Sequence, residues 1–287
     1  MKKKMRIPGP EELNEPPEKL LSYFIFIFGE KGIGKTSLVS QFPGAVVGML
    51  EPGRRNLRIR QVDITAGWET VEAFVDAAIE DDTVQTIGLD TADRLYESAL
   101  DYVCDSKGID HPGTIKDFGA TWREIKDTFE GLLTKIHQSG KGLVLTSHAK
   151  WRDLELRNGA VQPILSPTLS DSPLTTIKAM ADYAFYYGYY GGGRRALFLR
   201  GHEDLWCACG SADRFLDPEG NPIKTMLLGE SPAEAFESLD KGFGNQMLDA
   251  DDALRQELGD DVDTDDLSQK KTTIPYRKKK KKEKDAG

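Results

Sequence analysis

Residues 23–36 read YFIFIFGEKGIGKT, and this stretch decides the fold. Residues 23–28 form an unbroken apolar and aromatic run, which is typical of a parallel strand covered on both faces. The glycine-rich segment that follows has the spacing GxxxxGKT over residues 29–36, and a helical SLVSQF comes directly after it. A strand, a glycine-rich turn and a helix in this order indicate a phosphate-binding loop.

The phosphates of a nucleoside triphosphate are densely charged and need many hydrogen-bond donors at short range. Glycines let backbone N–H groups point into the turn without Cβ clashes, at the positive end of the next helix. We expect Lys35 to reach the β- and γ-phosphates and Thr36 to place its hydroxyl on Mg²⁺. A nucleoside triphosphate and Mg²⁺ are therefore the predicted ligands. The predicted nucleotide-binding residues are Gly29, Glu30, Lys31, Gly32, Ile33, Gly34, Lys35, Thr36 and Ser37.

An acidic residue closes a second apolar strand, VQTIGL at residues 84–89. This residue, Asp90, would lie beside the phosphate-binding loop and hold Mg²⁺ together with Thr36. The alternative is that Asp90 only caps the next helix. The following residue is Thr91 rather than a carboxylate, so a catalytic base has to come from elsewhere.

Glu51 is the best candidate for that base, because it stands at the carboxyl-terminal tip of the predicted strand 45–50. In an open α/β sheet this edge faces the ligand crevice. A solvated loop carboxylate before Pro52 is the alternative. Asp93 is the reserve candidate, although an acidic residue there also suits the first turn of a helix.

His148 ends another predicted strand, GLVLTS at residues 142–147. A polar side chain at that point could sense the γ-phosphate and pass its state to the next loop. A histidine with a purely structural role is the alternative.

The segment after His148 combines cations, an aromatic residue and an Asn-Gly hairpin signal over residues 150–167. Basic residues beside an aromatic one suit single-stranded nucleic acid, through phosphate pairing and base stacking. A surface hairpin without a ligand is the alternative. The candidate nucleic-acid contacts are Lys150, Trp151, Arg152 and Arg157.

Composition narrows the class of protein. The chain has 287 residues, of which 39% are hydrophobic and 30% charged, with a formal net charge of −9, so collagen-like and wholly disordered proteins are excluded. An acidic protein does not coat nucleic acid passively, so local basic loops would have to bind it. Three cysteines fit a reducing compartment such as the cytoplasm, and the pair Cys207 and Cys209 lacks a second pair for a zinc site.

The organisation along the chain predicts three segments. These are a flexible N-terminal arm at residues 1–19, one domain at 20–247, and a disordered tail at 248–287 that is first acidic and then basic. Strands alternating with helices predict a three-layer α/β fold with a mostly parallel central sheet. Two hairpins, around residues 158–159 and 191–193, would be added on its C-terminal side. The apolar run before the glycine-rich loop is too short to span a bilayer, so no membrane partner is expected.

Several stretches together resemble the RecA-like core of phage-encoded AAA-type nucleotide-binding proteins, a family that includes the phage single-strand-annealing ATPases. The matching stretches lie within residues 23–216 and read GEKGIGKTSLVSQFPGAVVGMLEPGRRNL, TIGLDTADRLYESALDYVCDSKGIDHPG, FGATWREIKDTFEGLLTKI and GKGLVLTSHAK. The resemblance implies a RecA-like P-loop NTPase that hydrolyses ATP with Mg²⁺. It further implies action on single-stranded DNA in phage-type recombination or annealing, in the host cytoplasm.

The same resemblance implies roles for individual residues. Glu51 matches the glutamate that activates water, and His148 matches the sensor at the end of the fourth strand. DNA-binding loops would correspond to about residues 105–117 and 149–168. Such enzymes often form homo-oligomers with shared ATP sites, in which a Lys-x-Arg stretch supplies a finger to the neighbour. Here the stretch is Ala-Asp-Arg, so only Arg214 remains.

Two other functional classes stay open. One is a nucleotide-dependent switch or loader that has a protein partner and hydrolyses ATP slowly. The other is a small-molecule kinase, which would need a lid and a nucleoside pocket that the sequence does not display.

Overall fold

A ten-stranded sheet runs through the centre of the computed structural model, which describes residues 6, 8–9, 11–52, 56–157 and 159–258. The strands are β1 Phe24–Gly29, β2 Ala45–Met49, β3 Gln61–Asp63, β4 Thr86–Asp90, β5 Gly142–Glu155, β6 Val161–Pro167, β7 Tyr183–Tyr190, β8 Arg194–Phe198, β9 Ala208–Cys209 and β10 Thr225–Leu227. The helices are α1 Lys35–Val39, α2 Trp68–Glu80, α3 Ala92–Lys107, α4 Ala120–Gln138, α5 Asp171–Met180, α6 Pro232–Phe243 and α7 Ala250–Leu258. Short 3-10 turns lie at Leu20–Ser22 and Pro112–Thr114.

The order of the strands confirms the predicted fold class. The main path across the sheet is β10-β8-β7-β1-β5-β4-β2-β3, and every neighbouring pair from β7 to β3 is parallel. The later strands β8 and β10 add antiparallel pairs at one side. Because parallel strands end at the same edge, the residues that follow β1, β2 and β4 are brought together there.

The central strand β1 shows why the sheet has helices on both faces. All six of its residues are buried. Phe24, Phe26 and Phe28 pack into one core with α2, α3 and α4, whereas Ile25 and Ile27 pack into a second core with α1 and α6. A strand that is buried on both sides reads as a continuous apolar run, as the sequence indicated.

The predicted end of the strand before His148 is wrong. The strand β5 continues from Gly142 to Glu155, and its parallel pairing with β1 stops where His148 faces Gly29. Beyond that point its backbone pairs with β6 in antiparallel fashion, so its N–H and C=O groups keep partners. We call residues 149–167 the hairpin extension. It confirms the predicted hairpin, and its turn is closed by the Leu156 N–H, which donates to the Ala160 carbonyl at 2.8 Å.

The predicted start of the disordered tail also needs correction, because residues 250–258 form α7. Leu254 is buried on this helix and lies against Gly191, while the Tyr190 hydroxyl donates to Asp251 at 2.5 Å. Because the segment is mostly acidic, its short apolar stripe, which packs the helix against the domain, was not recognised in the sequence. Residues 259–287, which include the basic run, lie outside the described residues.

The N-terminal segment is described at residues 6, 8–9 and 11–19, and these contain neither helix nor strand. The Tyr23 hydroxyl donates to the Pro17 carbonyl at 2.9 Å. Among the described residues, no helix combines the length and the apolar character that crossing a membrane requires.

Candidate active site

The phosphate-binding loop connects the end of β1 to the start of α1, and its shape depends on glycine at two positions. A Cβ on Gly29 would lie 2.2 Å from the Tyr187 carbonyl oxygen of the neighbouring β7. Gly34, directly before α1, has a φ of 113°, which L side chains rarely adopt. The loop is therefore fixed by backbone contacts that a larger residue would break.

Lys35 is 2% exposed, and its charge is held inside the loop. Its ammonium group donates to the carbonyl oxygens of Gly29 at 3.0 Å and Glu30 at 2.9 Å. The same Nζ lies 3.4 Å from Nδ1 of His148. These contacts place the cation at the centre of the loop, where the sequence predicts that it meets phosphate.

Asp90 lies one strand away from the loop, because β5 separates β4 from β1. It is 1% exposed, and each carboxylate oxygen accepts a hydroxyl hydrogen bond. Thr36 donates to Oδ2 and Thr146 to Oδ1, both at 2.5 Å. The paired hydroxyl and carboxylate oxygens of Thr36 and Asp90 are hard ligands of the kind that Mg²⁺ prefers, so this pair fits the predicted ion.

Glu51 follows β2 by two residues and meets His148 across the edge of the sheet. Nε2 of His148 lies 3.1 Å from Oε1 of Glu51, and the side chains are 21% and 22% exposed. The Thr91 hydroxyl donates to the same oxygen at 3.4 Å. Since the Lys35 ammonium can only donate, Nδ1 of His148 is assigned as the acceptor and Nε2–H as the donor to Glu51. His148 thus bridges Lys35 and the candidate base.

The reserve base Asp93 is engaged elsewhere. It lies in the first turn of α3, as its alternative interpretation required. Its Oδ2 accepts from the Ser147 hydroxyl at 2.7 Å and its Oδ1 from the Thr168 hydroxyl at 2.6 Å. The geometry therefore favours Glu51 over Asp93 as the base.

The four candidate nucleic-acid residues of the hairpin extension have different surroundings. Lys150 and Arg157 are exposed, whereas Trp151 packs against the larger core. Arg152 is half-buried and donates to Asp171 at 2.7 Å and to the Pro167 carbonyl at 3.1 Å. Only part of the predicted set is therefore directly accessible.

Lys178 on α5 joins these cations, and sequence reasoning missed it. Burial and then the nearby Arg152 charge lower the pKa of Lys178, and the same two causes lower the pKa of Lys150. The Lys178 ammonium also lies 4.9 Å from the centre of the Trp206 ring. Lys178 is far from the hairpin in sequence, and no motif marks it. We call Lys150, Arg152 and Lys178 the basic cluster.

Arg214 lies away from the phosphate-binding loop. Its guanidinium stacks 4.6 Å from the centre of the Phe243 ring, and that ring packs against Tyr23, which precedes β1. This is the amino edge of the sheet, opposite the loop. For Arg214, the sequence also left open an ordinary surface ion pair with Asp213 or Asp217, and no such pair is found among the described residues.

The other predicted DNA loop, residues 105–117, is ordered by short-range hydrogen bonds. Nδ1 of His111 accepts from the Gly113 N–H at 3.0 Å. Asp117 accepts from the hydroxyl and the N–H of Thr121, and these hydrogen bonds hold its pKa below the usual range. Next to Asp117, Phe118 is fully exposed and has a φ of 54°.

Cys207 and Cys209 are both partly buried. Within the described residues, no group of three His, Cys, Asp or Glu side chains could hold a metal ion through its own ligands. Burial raises the pKa of both Cys207 and Cys209.

Comparison with known proteins adds one informative match. A family model described as an AAA domain matches residues 22–206, which contain the loop, Glu51, Asp90 and His148. A comparison with curated proteins gives no match. Among solved structures, a KaiC-like protein of the hyperthermophilic archaeon Pyrococcus horikoshii is 13% identical with a TM-score of 0.43, over 75% of this chain and 88% of that chain. Because the family model covers well over half of the sequence, the chain belongs to the AAA domain family, with a P-loop nucleotide-binding fold.

Proposed function

We propose that this protein is a Mg²⁺-dependent ATPase of RecA-like type that acts on single-stranded DNA. The observation that supports hydrolysis most strongly is the continuous chain of contacts from Lys35 through His148 to Glu51. This chain runs beside the Thr36 and Asp90 pair at one edge of the sheet.

Binding of ATP is the first step of the proposal. The backbone N–H groups of the loop and the Lys35 ammonium would hold the phosphates. Thr36 and Asp90 would hold Mg²⁺, which neutralises phosphate charge when it is bound. Lys35 would exchange its carbonyl partners in the loop for phosphate oxygens.

Activation of water is the second step, and Glu51 is its base. Among the described residues, the contacts from His148 and Thr91 both use Oε1, and we assign Oε2 as the oxygen that accepts a proton from water. The His148 ring touches both Lys35 and Glu51, which suits a residue that senses whether a γ-phosphate is present.

Binding of single-stranded DNA rests on the basic cluster. The net charge of −9 makes the whole protein repel a polyanion, so local cations must carry the contact. After burial, the Arg152 charge lowers the pKa of both Lys150 and Lys178, and a bound phosphate would offset that repulsion. Trp206 beside Lys178 adds an aromatic surface to the cluster.

Sharing of sites between subunits is the part of the proposal that depends on Arg214. Its position at the amino edge keeps it away from its own phosphate-binding loop. A role for Arg214 in a neighbouring subunit's ATP site agrees with this placement. A role in phage-type recombination and a location in the host cytoplasm are further parts of the proposal.

A switch or loader with slow hydrolysis is the second candidate. Thr91, rather than a carboxylate, follows Asp90, and Glu51 is held by His148 and Thr91. With its base restrained in this way, the protein would hydrolyse ATP slowly until a partner or DNA released Glu51. Turnover that stays barely detectable with DNA would favour this candidate.

The test is the rate of phosphate release with and without a single-stranded oligonucleotide, at several protein concentrations. We expect Mg²⁺-dependent release that DNA accelerates and that rises in specific activity as subunits assemble. Gel filtration with a non-hydrolysable ATP analogue provides the oligomer size. No release and no analogue binding would contradict the proposed ATPase.

A further inference from the structure

Asp93 connects three parts of the molecule at a single carboxylate. It lies three residues after Asp90, at the start of α3. Its two oxygens accept from Ser147, directly before His148, and from Thr168, directly after β6. The turn after β4 is therefore tied to both ends of the hairpin extension.

The same two hydroxyl residues also fix the backbone of His148. The His148 carbonyl accepts from the Thr168 N–H at 2.8 Å, and the Thr168 and Ser147 hydroxyl oxygens, whose hydrogens are directed to Asp93, lie 3.3 Å and 3.2 Å from it. This is the point where β5 leaves the parallel sheet and the extension begins. A shift of the extension at its base would therefore move the His148 backbone.

Movement of His148 has consequences at the nucleotide site. Its ring contacts Lys35 on one side and Glu51 on the other. We call Asp93, Ser147 and Thr168 the junction. Hydrogen bonds to an ionised carboxylate are stronger than neutral ones, so the two hydrogen bonds that Asp93 accepts are the strongest in the junction. Lys150, the first cation of the basic cluster, is two residues beyond His148.

We propose that Asp93 is a positioning residue that couples the nucleotide site to the hairpin extension through the Ser147 and Thr168 hydroxyls. The inference rests on the proposed nucleotide site and goes beyond it, because it assigns the link between nucleotide and extension to one carboxylate. Binding of nucleotide at Lys35 changes the His148 contacts, and the junction transmits the change to residues 149–167. By linkage, a ligand on the extension changes nucleotide affinity by the same factor.

The experiment compares Thr168→Val with Thr168→Ser. Valine keeps the shape of threonine but removes the hydroxyl, whereas serine keeps the hydroxyl. Amide hydrogen exchange over residues 149–167 is measured with and without the Mg²⁺ complex of a slowly hydrolysed ATP analogue. Nucleotide affinity is measured separately by fluorescence, and kcat and KM are measured with ATP.

We expect nucleotide to change exchange in the extension of the wild type and of Thr168→Ser, but not of Thr168→Val. All three proteins should bind the analogue with similar affinity. In Thr168→Val, kcat should fall by about 2- to 30-fold while KM stays nearly constant, as for other residues that transmit coupling. Ser147→Ala, which removes the other hydroxyl from a fully buried site, should repeat this result if Thr168→Val fails to fold.

Three outcomes would overturn the coupling by Asp93. These are an extension that does not respond to nucleotide in the wild type, a Thr168→Val variant that still responds, and a Thr168→Ser variant that behaves like Thr168→Val. A wild type that fails to bind the analogue would overturn the proposed nucleotide site and the coupling with it. The fluorescence measurement distinguishes that failure from the other three.

Discussion

Lys35 and Lys150 lie at the same edge of the sheet, but the structure holds these two cations in different ways. Lys35 is buried and donates to backbone oxygens of its own loop. Lys150 is exposed on a hairpin, where partial desolvation and then the nearby Arg152 charge lower its pKa. A site built by backbone should bind one ligand shape with little salt dependence, whereas a surface cluster should bind any flexible polyanion and weaken as salt rises.

The largest expected effect is from Lys35→Ala. Because Lys35 is the cation held within the loop, its removal should abolish nucleotide binding or turnover. Binding of a fluorescent ATP analogue checks this. Lys126→Ala removes an exposed lysine that is paired with Glu130 on α4, so it is the matched control and should bind normally. Normal binding by Lys35→Ala would mean that the loop is not the phosphate site.

The next largest effect is expected from Arg214→Ala, which tests whether Arg214 of a neighbouring subunit completes the ATP site. Removing a guanidinium that stabilises the transferring phosphoryl group can cost about 10³- to 10⁵-fold in rate. Inactive Arg214→Ala mixed with inactive Lys35→Ala should regain some ATPase activity, because mixed neighbours rebuild an intact site. A mixture that stays inactive, with activity independent of concentration, would reduce Arg214 to a structural partner of Phe243.

A smaller effect is expected from the hairpin extension. Changing Lys150, Arg152 and Arg157 together to Ala should weaken oligonucleotide binding and reduce its salt slope by up to about one per charge removed. Adding Lys178→Ala should lower the slope further, since Lys178 belongs to the basic cluster. Basal ATPase should persist.

Binding titrations at several salt concentrations measure this slope. Deletion of residues 268–287 is the necessary control, because that segment contains the basic run. An unchanged affinity at every salt concentration would exclude the extension as the DNA contact.

The smallest effect concerns Phe118, in the region of the other predicted DNA loop. A left-handed backbone costs a non-glycine residue about 1–2 kcal/mol, and Asn tolerates it better than Phe does. Since Phe118 is fully exposed, Phe118→Asn should lose no packing and should raise the melting temperature by a few degrees. Phe118→Ala is the matched control and should give little gain. Weaker DNA binding by both variants would assign the ring to DNA contact, and an unchanged melting temperature in Phe118→Asn would argue against strain.

The fold could be predicted, as could which residues lie together at the candidate site, because both depend on local patterns. The apolar β1, the glycine spacing and the carboxylates at or just after strand ends, Asp90 and Glu51, each have a signature within about ten residues. The parallel sheet then brings them together, as the contact between His148 and Glu51 shows.

What sequence reasoning missed depends on contacts between distant segments. No local sequence signal indicates that β5 continues beyond His148, because the strand that pairs with this part of β5, β6, comes later in the chain. The helix α7 is acidic and buries only Ala250 and Leu254, so its composition resembled a disordered tail. The sequence suggested that Asp93 is an acidic residue in the first turn of a helix. Its hydrogen-bond partner Thr168 lies 75 residues further along the chain.

The most direct test of the account is a comparison of Glu51→Gln with Asp93→Asn. The central claim is that Glu51, paired with His148, is the base of an ATP-hydrolysing site. Because an amide cannot accept a proton, Glu51→Gln should bind ATP as tightly as the wild type and lose about 10²- to 10⁴-fold in turnover. Single-turnover phosphate release, with binding measured in parallel, gives the answer. Normal turnover by Glu51→Gln together with an inactive Asp93→Asn would contradict the claim.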